Sequence, residues 1–387
     1  MKKCRAAVLV TANKPLEIQE FDIPRPERGE VLVEMEVAGI CDVDVRRWHD
    51  PKTPVPMIFG HENVGRISDL GPGKKIDALG NPVDVGDMVV FGGVIPCGQC
   101  YNCTYLDEPA NCLNAVRYGG SPITGPPYLR GGYAEYVHLV SRAGMVRVPE
   151  GAGVDRSLIA IAGHKALVAG IERIGGISPA DVVLIQGTLP HSIAAVTQVK
   201  MWGARKIMIV GPSTRRLKVA KEIGADVTID TSTDEVKSLD NRISLVHDMT
   251  EGHGADVVID TSGMPSAIDE GLKMIRPGGK YLVMGQATDY GPTPVHTSLI
   301  MRKQLRIFGS FSGLPRHVFR AILELEKMNI PLEKLITHRF QLNQATSGLE
   351  AVDKSESVFA VLKYHTTKLT MSQILSLRIL RCKLLFP

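Results

Sequence analysis

The chain has 387 residues, 44% hydrophobic, 22% charged and 5% aromatic, with a formal net charge of +4. The apolar fraction excludes wholesale disorder, and the length suits two to three domains. The small positive balance gives no argument for nucleic acid, and no apolar run approaches the ~20 residues of a membrane-spanning helix. The basic start MKKCRAAVLV runs straight into polar TANKPLEIQE without a cleavage site, so no signal peptide is expected, and the expected location is cytoplasmic.

In chain order, AAVLV (6–10), EVLVEMEVAG (30–39), VGRISDLGP (64–72), DMVVFG (87–92) and YAEYVHLV (133–140) read as short strands bounded by Gly, Pro and Asp. From about residue 180 the texture changes. DVVLIQG (181–187), KIMIVG (206–211), DVTID (226–230), ADVVIDTSG (255–263), GKYLVMG (279–285) and LRIFGSF (305–311) alternate with helical stretches such as HSIAAVTQVKMWGA and STRRLKVAKEIGA. Continuous Val/Ile runs between helices predict an α/β doubly wound parallel sheet covered on both faces. A helix, PRHVFRAILELEKMN, and a closing strand, SVFAVLKY, follow. The texture divides the chain into a β-rich part at 1–160, an alternating α/β part at 161–305 and a last segment at 306–364. A leucine-rich tail at 365–387 carries no acid, and its four cations, Lys368, Arg378, Arg381 and Lys383, account for the whole net charge. The tail reads as a ragged extension, with docking of a helix on a partner or a membrane surface, or a reading-frame scar, as the other readings.

Of seven cysteines, four fall at Cys97, Cys100, Cys103 and Cys112, the pattern C-x2-C-x2-C-x8-C. Two-residue gaps aim three thiolates at one point, and the fourth returns from the far end of the loop. Four thiolates with no open position describe a closed tetrahedral zinc site. Iron–sulfur clusters use similar spacings, but no second cluster motif accompanies this one. Cys41 lies in AGICDVD just after a strand, and Gly60-His61-Glu62 follows some twenty residues later. Alone, such a pair more often means a core cysteine.

A four-cysteine lobe and a Cys/His/Glu set in one β-rich domain, followed by a dinucleotide-type domain, resemble the zinc-containing medium-chain dehydrogenase/reductase family of alcohol, polyol and threonine dehydrogenases. The resemblance covers residues 5–364 through GICDVD, GHENVGRI, the cysteine lobe, GGYAEYV, GADVVIDTSG and RPGGKYLVMG. It implies a GroES-like zinc-binding catalytic domain at 1–160, a Rossmann dinucleotide-binding domain at 161–305 and a return to the catalytic domain at 306–364, with one catalytic and one structural zinc and NAD or NADP. The catalytic zinc would be bound by Cys41 and His61, with Asp44 orienting a ligand histidine. The family's third ligand falls on Ala162, which cannot bind metal. Polyol-dehydrogenase-like members use the glutamate of GHE, so Glu62 is the expected third ligand. His164, nearby, is expected to be solvated or helix-capping. The hydroxyl that relays the alcohol proton in many relatives is Val43 here, and the histidine that often ends the relay aligns with Arg46.

The loop after the first strand should read G-x-G-x-x-G, but stands as Gly187-Thr188-Leu189-Pro190-His191-Ser192. Gly187 and Pro190 match the family; Leu189 and Ser192 replace two glycines, and Leu189 puts a side chain where pyrophosphate approaches. The end of the second strand, where an acid binds the ribose of NAD, is Gly211. Loss of the acid tilts slightly toward NADP, whose 2′-phosphate Ser213, Arg215 and Arg216 would meet; NAD-dependent relatives also keep a base at 216. Thr261 and Gly285 fall where relatives contact adenine and the nicotinamide half.

The resulting reading is a zinc-dependent oxidoreductase passing a hydride between a secondary alcohol or polyol and NAD(P). Its partners would be a small alcohol or ketone and further copies of itself, in a homodimer or homotetramer. Trp48, Tyr118 and Phe311 are the candidates for the substrate-pocket lining. Ala162, Val43 and the altered glycine loop support the rival, a non-catalytic zinc-stabilised paralogue.

Overall fold

A computed structural model describes residues 2–285, 291–328, 330 and 334–364. The tail at 365–387, with Cys382, lies outside the described residues. By internal contacts the chain forms two compact units, residues 1–161 with 338–387, and residues 162–337.

The first unit is organised around one long strand, Val31–Ile40, whose residues are nearly all buried. Its alternating Val, Leu and Met side chains have β-branched or long apolar character suited to a strand covered on both faces. Antiparallel partners Glu62–Leu70, Tyr136–Leu139 and Phe359–Lys363 pair with it. The last of these brings residues from the far end of the sequence back into the unit, explaining why SVFAVLKY reads as a closing strand. The core beneath the sheet includes Val33, Met35, Ile58, Phe59, Phe91 and Tyr133. Directly after Ile40 the chain turns into the helix Asp42–His49, which carries two acids in its first turn and three basic side chains in its last, the charge order favoured by the helix dipole. The sequence reading missed this helix, because eight residues are too few for a clear apolar period. Only Asp44, Val45 and Trp48 are buried on it.

The second unit holds a six-stranded, all-parallel sheet. In spatial order the strands are Val227–Asp230, Lys206–Gly211, Val182–Gln186, Ala255–Asp260, Ile275–Val283 and Arg306–Gly309. In chain order these are the third, second, first, fourth, fifth and sixth, the order of a Rossmann sheet. The first strand, VVLIQ, is buried at every position, as a central parallel strand must be. The helix Thr214–Ile223 ends at Gly224 with φ +128°, so the glycine predicted as its C-cap does supply the backbone conformation a side chain would resist. The strand order switches between the first and fourth strands, beside the loop 187–192 at their carboxyl ends.

Candidate active site

Strand pairing assembles the first candidate metal centre. Ala38 faces Asn63 and Val37 faces Val64, so continuing the register sets Gly39 opposite Glu62 and carries Cys41 toward His61. Gly39 has no Cβ, and the space is taken: a methyl there would lie 2.3 Å from Glu62 Oε2. The donor atoms of Cys41, His61 and Glu62 all lie within 4.8 Å of one another. Glu62 Oε1 is 3.9 Å from His61 Nε2.

Asp44 holds this group from behind. It is fully buried, and its Oδ1 lies 3.2 Å from His61 Nδ1. Its Oδ2 accepts from the Cys41 backbone N–H and from the Tyr133 hydroxyl, each at 3.2 Å. One carboxylate thereby fixes the histidine ring and the start of the cysteine helix, leaving His61 Nε2 on the Glu62 side for a cation. Burial, then Glu62, Asp42 and Asp44, push the Cys41 thiol well above its ordinary range. Burial lowers the basicity of His61, but the Asp44 carboxylate outweighs it and the net direction is up. A buried cysteine among carboxylates resists ionisation unless a cation joins it, and the sulfur, nitrogen and oxygen donors are those zinc takes. The donor set therefore fits zinc.

The second centre is local. Cys97, Cys100, Cys103 and Cys112 bring their sulfurs within 4.8 Å of one another. Cys100 Sγ is 3.5 Å from Cys103 Sγ and 3.8 Å from Cys112 Sγ. Cys112 is buried and accepts the Cys97 backbone N–H at 3.1 Å. The Leu113 N–H draws the Cys100 thiol down to about 6, and the Gln99 N–H lowers Cys97. Desolvation and the neighbouring Cys100 raise Cys103 to about 11. Backbone donors aimed at thiolates are what a closed metal site needs, and this cluster also fits zinc.

Several expectations need correction. Trp48 and Tyr118 do not line a pocket: both are buried in the core, with Trp48 Nε1 donating to Lys14 O and the Tyr118 hydroxyl to His138 O. Large aromatics near a site look like lining, but their polar ends are satisfied inward. Phe311 is exposed. His164 is neither solvated nor a side-chain cap. It is buried, and its Nε2 lies 2.6 Å from Thr197 Oγ1. Ala162 is buried within a π-helical turn, Ala160–His164. Arg46, at the family's relay position, is tied to Asp42 at 2.6 Å.

In the second unit, Gly187 has φ +110°, and a side chain there would strike Ser262 and Ser192. Leu189 is the half-buried N-cap of the helix Pro190–Met201, with Pro190 at its first position. Ser192 faces inward, fully buried, and Thr261 Oγ1 lies 2.9 Å from its hydroxyl. Its replacement of glycine is thus internal to the loop. The Thr188 hydroxyl bonds Pro212 O, and Arg216, buried, donates to Thr188 O at 3.4 Å. Gly211 packs tightly on Gly187 and Thr188. Ser213 caps the next helix with φ +97°, accepting the Arg216 N–H, while Arg215 is exposed. Gly285 lies against the backbone of Thr261–Gly263, where a Cβ would be 2.3 Å from Gly263 N. The helix Pro190–Met201 begins just beyond the end of the first strand, the place where a Rossmann sheet presents a helix N-terminus to a pyrophosphate.

Residues 27–150 match the alcohol dehydrogenase GroES-like domain, and residues 192–327 match the zinc-binding dehydrogenase domain. The chain is 31% identical over 360 residues to 5-exo-hydroxycamphor dehydrogenase from Pseudomonas putida, covering 91% of this chain and 96% of that one. It belongs to the zinc-containing medium-chain dehydrogenase/reductase family. A solved alcohol dehydrogenase from Thermotoga maritima is similar to this family member at 32% identity and TM-score 0.87, covering 94% of this chain and all of that one. An Escherichia coli CFT073 alcohol dehydrogenase complexed with NADH is similar at 25% identity and TM-score 0.80, again over 94% of this chain and all of that one. Membership makes the chain one of the zinc-dependent, NAD(P)-linked oxidoreductases.

Sequence reading passed over Gly39, Tyr133 and Arg47. The first two had a signal: Gly39 stands two residues before a candidate ligand, and Tyr133 follows two glycines.

Proposed function

We propose that this family member oxidises a secondary alcohol or polyol, or reduces the matching ketone, with zinc at Cys41, His61 and Glu62 and with NAD(P). The convergence of Cys41, His61 and Glu62 over the Asp44 carboxylate supports this reading above all. Zinc bound there would polarise a carbinol oxygen and lower its pKa, and the nicotinamide would take the hydride. The chain's own part is positional. Asp44 keeps His61 in the tautomer with its proton on Nδ1, so Nε2 faces the metal position. Glu62 adds a second negative ligand in place of the ligand missing at Ala162. Val43 supplies no hydroxyl, so the carbinol proton would leave by water or by a group other than the family's relay. Asp42, half-buried with Oδ1 3.2 Å from Cys41 Sγ, is the nearest carboxylate on the cysteine helix for that water to meet. Gly187, Pro190, Gly211, Thr261 and Gly285 would hold the dinucleotide. Ser213 and exposed Arg215 favour a 2′-phosphate, with Arg216 bracing the loop. Cys97, Cys100, Cys103 and Cys112 would hold the structural zinc.

Metal analysis of the purified chain together with NADH and NADPH fluorescence titration tests the reading. Two zincs per chain, cofactor binding, and turnover on a panel of secondary alcohols and polyols are expected. One zinc and no cofactor binding would leave the non-catalytic alternative, which the departures at Ala162 and Leu189 favour.

A further inference from the structure

Arg47 occupies the last turn of the helix Asp42–His49, three residues after Asp44 and so on the same face. Its neighbour Arg46 turns to Asp42, and Arg5 and Arg66 of the same unit pair with Glu135 and Glu36, whereas Arg142 and Arg156, like Arg47, bond backbone carbonyls. Among the described residues Arg47 has no carboxylate partner. Half-buried, it makes one hydrogen bond, Nη1 to Gly119 O at 2.7 Å.

The surroundings lead back to the candidate zinc centre. Gly119 is packed on Gly60, the residue before His61; a Cβ on Gly119 would be 2.6 Å from Gly60 O. Gly120 lies against the guanidinium face, where a Cβ would come within 2.9 Å of Nη2 and 3.0 Å of Nη1. Gly93, beside Tyr118, also lies against His61, where a Cβ would be 2.6 Å from the His61 Cβ. Glycines therefore let the chain pack closely against Gly60 and His61, and Gly119 and Gly120 seat the arginine fork beside that turn. The positive charge of Arg47 is felt at His61, opposing the effect of Asp44. A half-buried guanidinium with donors to spare and no counter-ion is an incomplete pair, and a planar carboxylate is its natural complement.

We propose that Arg47 binds the carboxylate of a hydroxy-acid substrate whose carbinol oxygen lies at the Cys41–His61–Glu62 centre. This rests on the function proposed above and narrows its substrate to an anionic secondary alcohol. An arginine is chosen over lysine for such a task because the fork fixes the acid's direction as well as its charge. A neutral alcohol would leave the half-buried guanidinium without a carboxylate.

The test uses the full-length, zinc-loaded protein with 3-hydroxybutyrate and 2-butanol, which share the same carbinol and differ in the carboxylate. Wild type should favour the acid in kcat/KM at least tenfold. Arg47→Gln should cut that ratio at least tenfold through KM, and Arg47→Lys should restore part of it. Calorimetric titration with butyrate, which cannot be oxidised, reads binding without turnover: affinity should fall at least tenfold in Arg47→Gln, with NADH affinity shifted less than twofold. No preference in wild type, an unaltered ratio in Arg47→Gln, or loss of NADH binding with butyrate binding intact would overturn the assignment; the last outcome would give the guanidinium to a coenzyme phosphate. Failure to oxidise either alcohol with butyrate binding still dependent on Arg47 would sink the proposed function and leave the anion site standing. Oxidation of 2-butanol with equal butyrate binding in both proteins would sink the anion site alone.

Discussion

The two candidate metal clusters are built in opposite ways from the same chemical alphabet. Cys97, Cys100, Cys103 and Cys112 come from one stretch of sixteen residues, and three of the four side chains stay partly exposed. Cys41, His61 and Glu62 meet only because two strands pair in one register, and behind them stand a fully buried aspartate and a buried tyrosine. The lobe's ligands are held by nearby backbone N–H groups, whereas the other centre is held by tertiary packing. A local site can lose its metal and let one loop loosen. A site made by sheet register fails when the register or its packing fails, and it can be tuned from positions that touch no metal.

That contrast gives an ordered series of tests on the zinc-loaded chain. Cys41→Ala should have the largest effect, removing one zinc and lowering turnover by about a thousandfold, the equivalent of ~4 kcal/mol of barrier. Zinc content and single-turnover kinetics measure it; retained turnover would show that the two centres do not differ in role. Asp44→Asn keeps the shape but weakens the hold on His61. Turnover should fall about 10- to 100-fold with a parallel loss of zinc affinity, read by chelator competition. Gly39→Ala should act through Glu62 alone, because its methyl would collide with the carboxylate. A drop of about tenfold in zinc affinity is expected for displacing one of three ligands imperfectly, and an unchanged affinity would remove Glu62 from the ligand set. Cys100→Ser should have the smallest effect on turnover, at most a few-fold. It should remove the other zinc and lower Tm by about 5–10 °C, visible by calorimetry.

The same contrast decides what could be read from the residues. The cysteine lobe was plain in the sequence because its geometry is a matter of spacing. The parallel sheet was plain too: VVLIQ and KIMIV are runs that only a doubly covered strand tolerates, and all six expected strands are present in Rossmann order. Cys41, His61 and Glu62 were reached through resemblance, since nothing in a twenty-residue separation specifies a meeting. Tyr133 and Gly39 stood beside recognisable motifs, but their parts depend on which residues face each other across the sheet. Trp48 and Tyr118 misled for the same reason, as an aromatic near a ligand in sequence gives no sign of which way it points. Ser192 looked like damage to a glycine loop, yet it is buried against Thr261 and sits inside the fold.

The pairing of Gly39 with Glu62 has a consequence for how such a site changes over generations. The carboxylate occupies the volume that any side chain at 39 would claim, so the two positions are locked together. A lineage that moved its third ligand to position 162 could abandon the glycine only after Glu62 had been released from the metal. The reverse order would pass through an intermediate with a crowded strand and a displaced ligand. The bare glycine therefore records where the Glu62 carboxylate, the proposed third ligand, lies.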